Sequence, residues 1–193
     1  MRLTQDEALG LFRKSGAFLE GHFILTSGLH SPHYVEKFRV LEYPRYTARL
    51  CEHIAGEFGD EKVSVVIGPM TGGIILAHEV GRQLNARAMF TERVDGKMAL
   101  RRGFELTSRD RVLLVEDIVT TGGSIFEVID AVRGTGATIV GLGYLVDRSG
   151  GRVDFGIPAK AIITLDVVTH QPDVCPLCRQ GVPAIKPGSS GKK

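Results

Sequence analysis

The chain lacks any apolar run long enough to span a bilayer, and its opening stretch, MRLTQDEALGLF, is too charged after the first residues for a secretory signal. No membrane partner is expected, and the protein is expected in the cytoplasm. It also lacks a field of one charge. Its 24 Lys and Arg are interspersed with 22 Asp and Glu for a net charge of +2, which removes the usual electrostatic reason to expect nucleic acid. Cysteine is scarce: three, an odd number without an export signal, argue against a disulfide framework. GxxxxGK[ST] is missing and no strand leads into GxGxxG, so neither an ATPase P-loop nor a dinucleotide site is expected. There is no internal repeat, and only the terminal PGSSGKK is low in complexity.

What is present is 193 residues with 43% hydrophobic content, enough for one well-buried core. One domain is expected over 1–193, with an N-terminal helix and hood over 1–40, a core sheet over 60–168 and a tail over 169–193. The chain is organised around RVLLVEDIVTTGGS, residues 111–124. Val112 to Val115 are apolar without alternation, which suits a parallel strand covered on both faces, and Glu116 and Asp117 are expected to end it. Thr120, Thr121, Gly122, Gly123 and Ser124 form a small-residue turn into a segment whose Ile125, Val128, Ile129 and Val132 follow helical spacing.

A strand, a glycine-rich loop and a helix N-terminus together present backbone N–H groups to an anion beyond the strand's carboxyl end. Two carboxylates beside that cradle would repel a bare nucleotide tail, yet they accept from a vicinal diol and suit a divalent cation. The implied ligand carries a phosphate and sugar hydroxyls together. The plainer reading, in which the acids end a strand and the glycines turn the chain, stays open for so short a motif.

The remaining segments fit around this loop. Thr4 and Glu7 have capping-box spacing before a short helix, and residues 17–36 read as short strands or loops that form a cap over the sheet edge. A helix is expected from Pro44 to Phe58 with Cys51 on its core face. A strand at Val63 to Ile67 leads through Thr71, Gly72 and Gly73 into a helix from about Ile74, which is either a second anion-ready loop or an ordinary tight turn. Asp95-Gly96 marks a hairpin whose Arg93, Lys97, Arg101 and Arg102 read by default as solvated surface charge. A later strand ends in Asp147-Arg148. That is commonplace, but its end should share a rim with Asp117, and an Arg fork there matches the carboxylate or imide-like edge of an acidic base. In the tail, Cys175 and Cys178 form one CxxC, half of a zinc ribbon at most. With His170 upstream, two or three metal ligands are expected and a reduced pair is favoured.

The stretch VLLVEDIVTTGGS resembles the 5-phosphoribosyl-1-diphosphate (PRPP) signature of the type I phosphoribosyltransferases. FxLTSGxHSPxY, the Gly-Pro loop, ER…GK…LRRGF and the VDR strand end extend the resemblance, over nearly the whole chain, to the orotate-specific branch of that family. It implies an α/β fold with a central, mostly parallel sheet flanked by helices, a small N-terminal hood and a mobile hairpin loop. It implies magnesium-dependent transfer of the phosphoribosyl group of PRPP to orotate, giving orotidine 5'-monophosphate and pyrophosphate for UMP synthesis. Asp117, Glu116 and Lys97 take the catalytic positions. PRPP is expected on Glu116, Asp117, Ile118, Val119, Thr120, Thr121, Gly122, Gly123, Ser124, Arg93, Lys97, Thr71 and Gly72, and orotate on Thr120 and Arg148. Mg²⁺ is expected to be held through PRPP and water without direct protein ligands, in a homodimer that shares the loop across its interface. Thr26 and Gly72 stand where many bacterial members carry lysine, and the hairpin is short and lacks their histidine, so interest falls on Lys97, Arg93, Arg101 and Arg102. The alternatives are a phosphoribosyltransferase for another base, such as a purine, and a PRPP-sensing regulator without turnover.

Overall fold

The computed structural model describes residues 2–187; the low-complexity end from Gly188 onward lies outside the described residues. The first helix, α1 (Gln5–Lys14), starts at the expected capping box: the Thr4 hydroxyl accepts from Glu7 N–H at 3.2 Å and the Glu7 carboxylate accepts from Thr4 N–H at 2.8 Å. It is followed by β1 (Phe18–Ile24) and β2 (His30–Val35), which pair antiparallel as a separate two-stranded sheet, the hood. A short helix that the sequence pattern did not reveal, α2 (Phe38–Leu41), joins the hood to α3 (Pro44–Glu57), which begins at its proline as expected.

The central sheet comprises β3 (Val65–Pro69), β4 (Arg87–Val94), β5 (Lys97–Leu100), β6 (Arg111–Val119), β7 (Thr138–Asp147) and β8 (Ala159–Thr164). Its order is β5-β4-β3-β6-β7-β8, and every pairing is parallel except that of the edge strand β5. Helix α4 (Gly72–Leu84) follows β3, α5 (Gly123–Arg133) follows β6, and the tail carries the short helix α6 (Pro176–Arg179).

The central strand β6 is covered on both sides, as its unbroken apolar run implies. Val112 and Leu114 pack with Ile125, Val128 and Ile129 of α5, while Leu113 and Val115 pack with Leu50 and Ile54 of α3 and Leu76 and Val80 of α4. Each of these side chains is essentially inaccessible, and burial of each contributes about 1.5–3 kcal/mol. This two-sided packing fixes the strand that carries the acidic pair.

One expectation needs correction. Glu116 and Asp117 do not end β6; its ladder with β7 continues through Glu116↔Tyr144 and Ile118↔Val146 to Val119↔Asp147. Pairing on the sheet outlasts the apolar run, so the acids sit inside a buried strand. The expected Asp95-Gly96 hairpin is present and belongs to the central sheet. Residues 87–91 of β4 run parallel to β3, and only Thr91 to Val94 turn back against β5, through Asp95 and Gly96 with φ of 49° and 84°. Two positive φ values in a two-residue turn are what an Asp-Gly hairpin requires.

Candidate active site

The carboxyl ends of β6 and β7 open into two adjoining cavities. One, of about 360 Å³, is lined by Glu116, Ile118, Val119, residues 120–125, Arg93 and Glu127. The other, of about 240 Å³, is lined by Tyr34, Val35, Glu36, Lys37, Ile118, Thr120 and Arg148. Ile118 and Thr120 belong to both walls.

The first cavity has the form of an anion cradle. Gly122 turns the chain in the left-handed region at φ 77°, and a Cβ there would lie 2.7 Å from the Phe155 ring, so no other residue fits the turn without displacement. The first backbone bond of α5 runs from Phe126 N–H to the Gly122 carbonyl at 3.0 Å, which leaves the N–H groups before it for a ligand. Glu116 forms part of this wall, and its carboxylate accepts from Asp117 N–H at 2.9 Å. Burial, reinforced by the adjacent Asp117 charge, pushes its carboxyl up to about 8.

Asp117 lies deeper, 2% exposed, and lines neither cavity. Lys37, from the end of the hood, places its ammonium 2.9 Å from Oδ1 and 2.8 Å from Oδ2. The ammonium is shared between the two oxygens, with the better-aligned bond to Oδ1. Oδ2 is also pressed against the start of α4: a Cβ on Gly72 would come within 1.8 Å of it. A side chain at 72 and Asp117 in this position exclude one another. Thr71, beside it, is exposed, and the Met70–Thr71 peptide is cis.

In the second cavity Arg148 is held by its neighbour. Asp147 Oδ1 accepts from Ser149 N–H at 2.7 Å and from the Ser149 hydroxyl at 2.6 Å, and Oδ2 accepts from Gly151 N–H at 2.9 Å. The buried Asp147 therefore shapes the turn, and Arg148 is left free to face Tyr34. Burial lowers the Arg148 guanidinium from its ordinary value and raises the Tyr34 hydroxyl from its own.

The four hairpin cations divide into two pairs. Arg93 bonds the Gly96 carbonyl and pairs with Glu127 of α5 at 3.1 Å, while Arg102 grips Glu92 with two bonds of 3.0 and 2.9 Å. Lys97 and Arg101 have no ion pair among the described residues, and Lys97 is not part of the cradle wall of its own chain. Thr26 is exposed at the tip of the hood.

Sequence reasoning missed Lys37, and it quoted Tyr34 only as the last residue of FxLTSGxHSPxY, without a role of its own. Lys37 is one of 24 basic residues with no local pattern to mark it, and only the fold carries it 80 positions to Asp117. The tail expectation also needs correction. His170 meets His30 through paired backbone bonds of 2.9 and 2.8 Å, while the rings that join Cys175 and Cys178 are those of His22 and His30, so four donors gather where two or three were expected.

Comparison with known proteins places this architecture. The phosphoribosyl transferase domain family matches residues 42–174. A curated relative, the orotate phosphoribosyltransferase of Pelotomaculum thermopropionicum, is 51% identical across 97% of this chain and 98% of its own length. The crystal structure of the Mycobacterium tuberculosis orotate phosphoribosyltransferase with inorganic phosphate superposes with a TM-score of 0.67 at 26% identity, covering 83% of this chain and 95% of that one. An adenine phosphoribosyltransferase from Trypanosoma brucei shares the fold alone, with a TM-score of 0.62 at 16% identity over 84% of this chain and 82% of that one.

Proposed function

The chain belongs to the phosphoribosyl transferase family, in its orotate phosphoribosyltransferase branch, and on that premise we propose how its residues divide the work of transfer. The enzyme moves the phosphoribosyl group of PRPP to orotate, forming orotidine 5'-monophosphate and pyrophosphate in pyrimidine biosynthesis. The observation that carries the division of roles is the wall shared by the two cavities. A sugar phosphate in the cradle and a base under Arg148 meet across Ile118 and Thr120.

In this reading residues 120–124 hold the 5-phosphate, an anchor whose binding energy orients the anomeric carbon. A ring nitrogen of orotate attacks that carbon as its bond to pyrophosphate breaks, and the sugar becomes cation-like on the way. Stabilising that charge matters more than a covalent nucleophile. Glu116 accepts from the ribose hydroxyls and, once ionised, favours positive charge on the ring. Asp117 joins it when Lys37 yields, since the Lys37 ammonium is the group that occupies its buried carboxylate. Arg148 takes the orotate carboxylate with its planar fork, and Thr120 touches both substrates.

Once Glu116 is ionised and Lys37 has left Asp117, the two carboxylates would suit a hydrated hard divalent cation such as Mg²⁺ beside the sugar, which would lend positive charge there. When bound, that ion neutralises charge on the departing pyrophosphate. Lys97 is assigned to the same charge from the partner subunit of a homodimer. What supports this sharing is that Lys97 is exposed, unpaired among the described residues and outside its own chain's cradle.

The test is loss of orotate absorbance on mixing the protein with orotate, PRPP and Mg²⁺. Pyrophosphate release with adenine but not orotate would assign another base. Tight PRPP binding without turnover on any base would make the chain a sensor.

A further inference from the structure

The hood and the tail meet in a cluster of nitrogen and sulfur donors that the transfer reaction does not use. His22 Nε2, His30 Nδ1, Cys175 Sγ and Cys178 Sγ all lie within 4.8 Å of one another. His22 Nε2 faces His30 Nδ1 at 2.8 Å; Cys175 Sγ and Cys178 Sγ lie 3.5 and 3.7 Å from His22 Nε2, and Cys178 Sγ lies 3.2 Å from His30 Nδ1. A tetrahedral zinc with bonds of about 2.0–2.3 Å holds its ligand atoms about 3.3–3.8 Å apart. The two His22–cysteine edges, 3.5 and 3.7 Å, lie in that range, while the His30–Cys178 edge of 3.2 Å falls just below it and the nitrogen pair, at 2.8 Å, is the tightest.

We propose that His22, His30, Cys175 and Cys178 form a structural zinc site that pins the tail to the hood. Two thiolates and two imidazoles are a tetrahedral donor set suited to zinc and ill suited to magnesium or calcium, which take oxygen ligands. Four protein ligands close the coordination sphere, so the ion's role is structural and not that of a water activator. The shell behind the ligands is in place: the Val182 carbonyl lies 2.7 Å from His22 Nδ1, which puts the ring proton there and turns the Nε2 lone pair inward. His22, His30 and Cys175 are 2%, 7% and 0% exposed, so the site is dry on three sides, while Cys178 stands at its open edge.

The surrounding backbone brings the two ends of the chain together. His30 and His170 exchange bonds of 2.9 and 2.8 Å, Ile24 N–H donates to the Ile185 carbonyl at 2.8 Å, and Ile185 N–H donates to the His22 carbonyl at 2.8 Å. Binding converts two thiols to thiolates and releases their protons to water. The CxxC thus completes a four-ligand site with two histidines whose spacing, HFILTSGLH, gives no zinc-ribbon signature.

Metal analysis of the full chain, grown with zinc and purified without chelator, tests this. About one zinc per chain is expected for the wild type, and loss of most of it in Cys178→Ala, a change at an exposed position that spares the core. Independently of any variant, the wild-type chain stripped of metal and titrated with Co²⁺ should show thiolate-to-cobalt charge transfer together with the intense visible bands of tetrahedral cobalt. Wild-type protein without zinc above background, full zinc retention by Cys178→Ala, an octahedral cobalt spectrum, or a Cys175–Cys178 disulfide in protein kept under reducing conditions would each overturn the assignment. None of these readouts depends on the transfer reaction.

Discussion

Gly72 and Glu116 show how single side chains set the chemistry of the rim. Because a Cβ at 72 would fall 1.8 Å from Asp117 Oδ2, Gly72→Ala should displace that carboxylate and lower kcat by about tenfold to a hundredfold in the orotate assay, with thermal stability little changed. Asp117→Asn should lower turnover as strongly while the fold persists; near-normal turnover would remove Asp117 from the machinery. Glu116 gives a pH signature. Its carboxyl is raised from 4.5 to about 8 in the fold, so between those values the folded chain keeps a proton the unfolded chain has released. The group's contribution to stability is therefore greatest below that window and declines as pH rises through it, and Glu116→Gln should flatten the decline in denaturant titrations. If the ribose hydroxyls bind the ionised form, PRPP binding should release protons near neutrality, measurable by calorimetry in buffers of different ionisation enthalpy. At this scale the sequence was informative about the acidic pair and Arg148, since both lie in patterns of fixed spacing. It was silent on Lys37, whose meaning is a distance across the fold.

At the scale of elements, the strands and helices that bury a face on the sheet were legible, because periodicity records burial. The end of β6 and the helix α2 were not: the first is set by pairing with β7, and the second is only four residues, too short to show a period. The hood was expected from the sequence, and its two ends prove to have different surroundings. Residues 34–37 wall the cavity of Arg148, whereas His22 and His30 face the tail. Loosening the tail should therefore disturb one substrate more than the other. In Cys178→Ala we expect a severalfold rise in KM for orotate, with KM for PRPP near that of the wild type, measured by varying each substrate at saturation of the other. An equal rise in both would mean that the tail supports the whole rim and not the hood in particular.

At the scale of the whole molecule, the pairing of the hairpin cations bears on the proposed sharing of Lys97 between subunits. Arg93 and Arg102 are held by Glu127 and Glu92, whereas Lys97 and Arg101 are exposed and have no ion pair among the described residues. Lys97→Ala should abolish most activity, and mixed dimers with Asp117→Asn subunits should regain part of it, because one composite site then has both groups intact. Absence of rescue at any mixing ratio would place Lys97 in its own chain's site. The common wall of Ile118 and Thr120 has a last consequence, for product inhibition. Pyrophosphate, confined to the donor side, should compete with PRPP and leave orotate saturation untouched. A nucleotide product that spans the wall, as the proposed division of roles requires, should act as a bisubstrate inhibitor that displaces both partners at once.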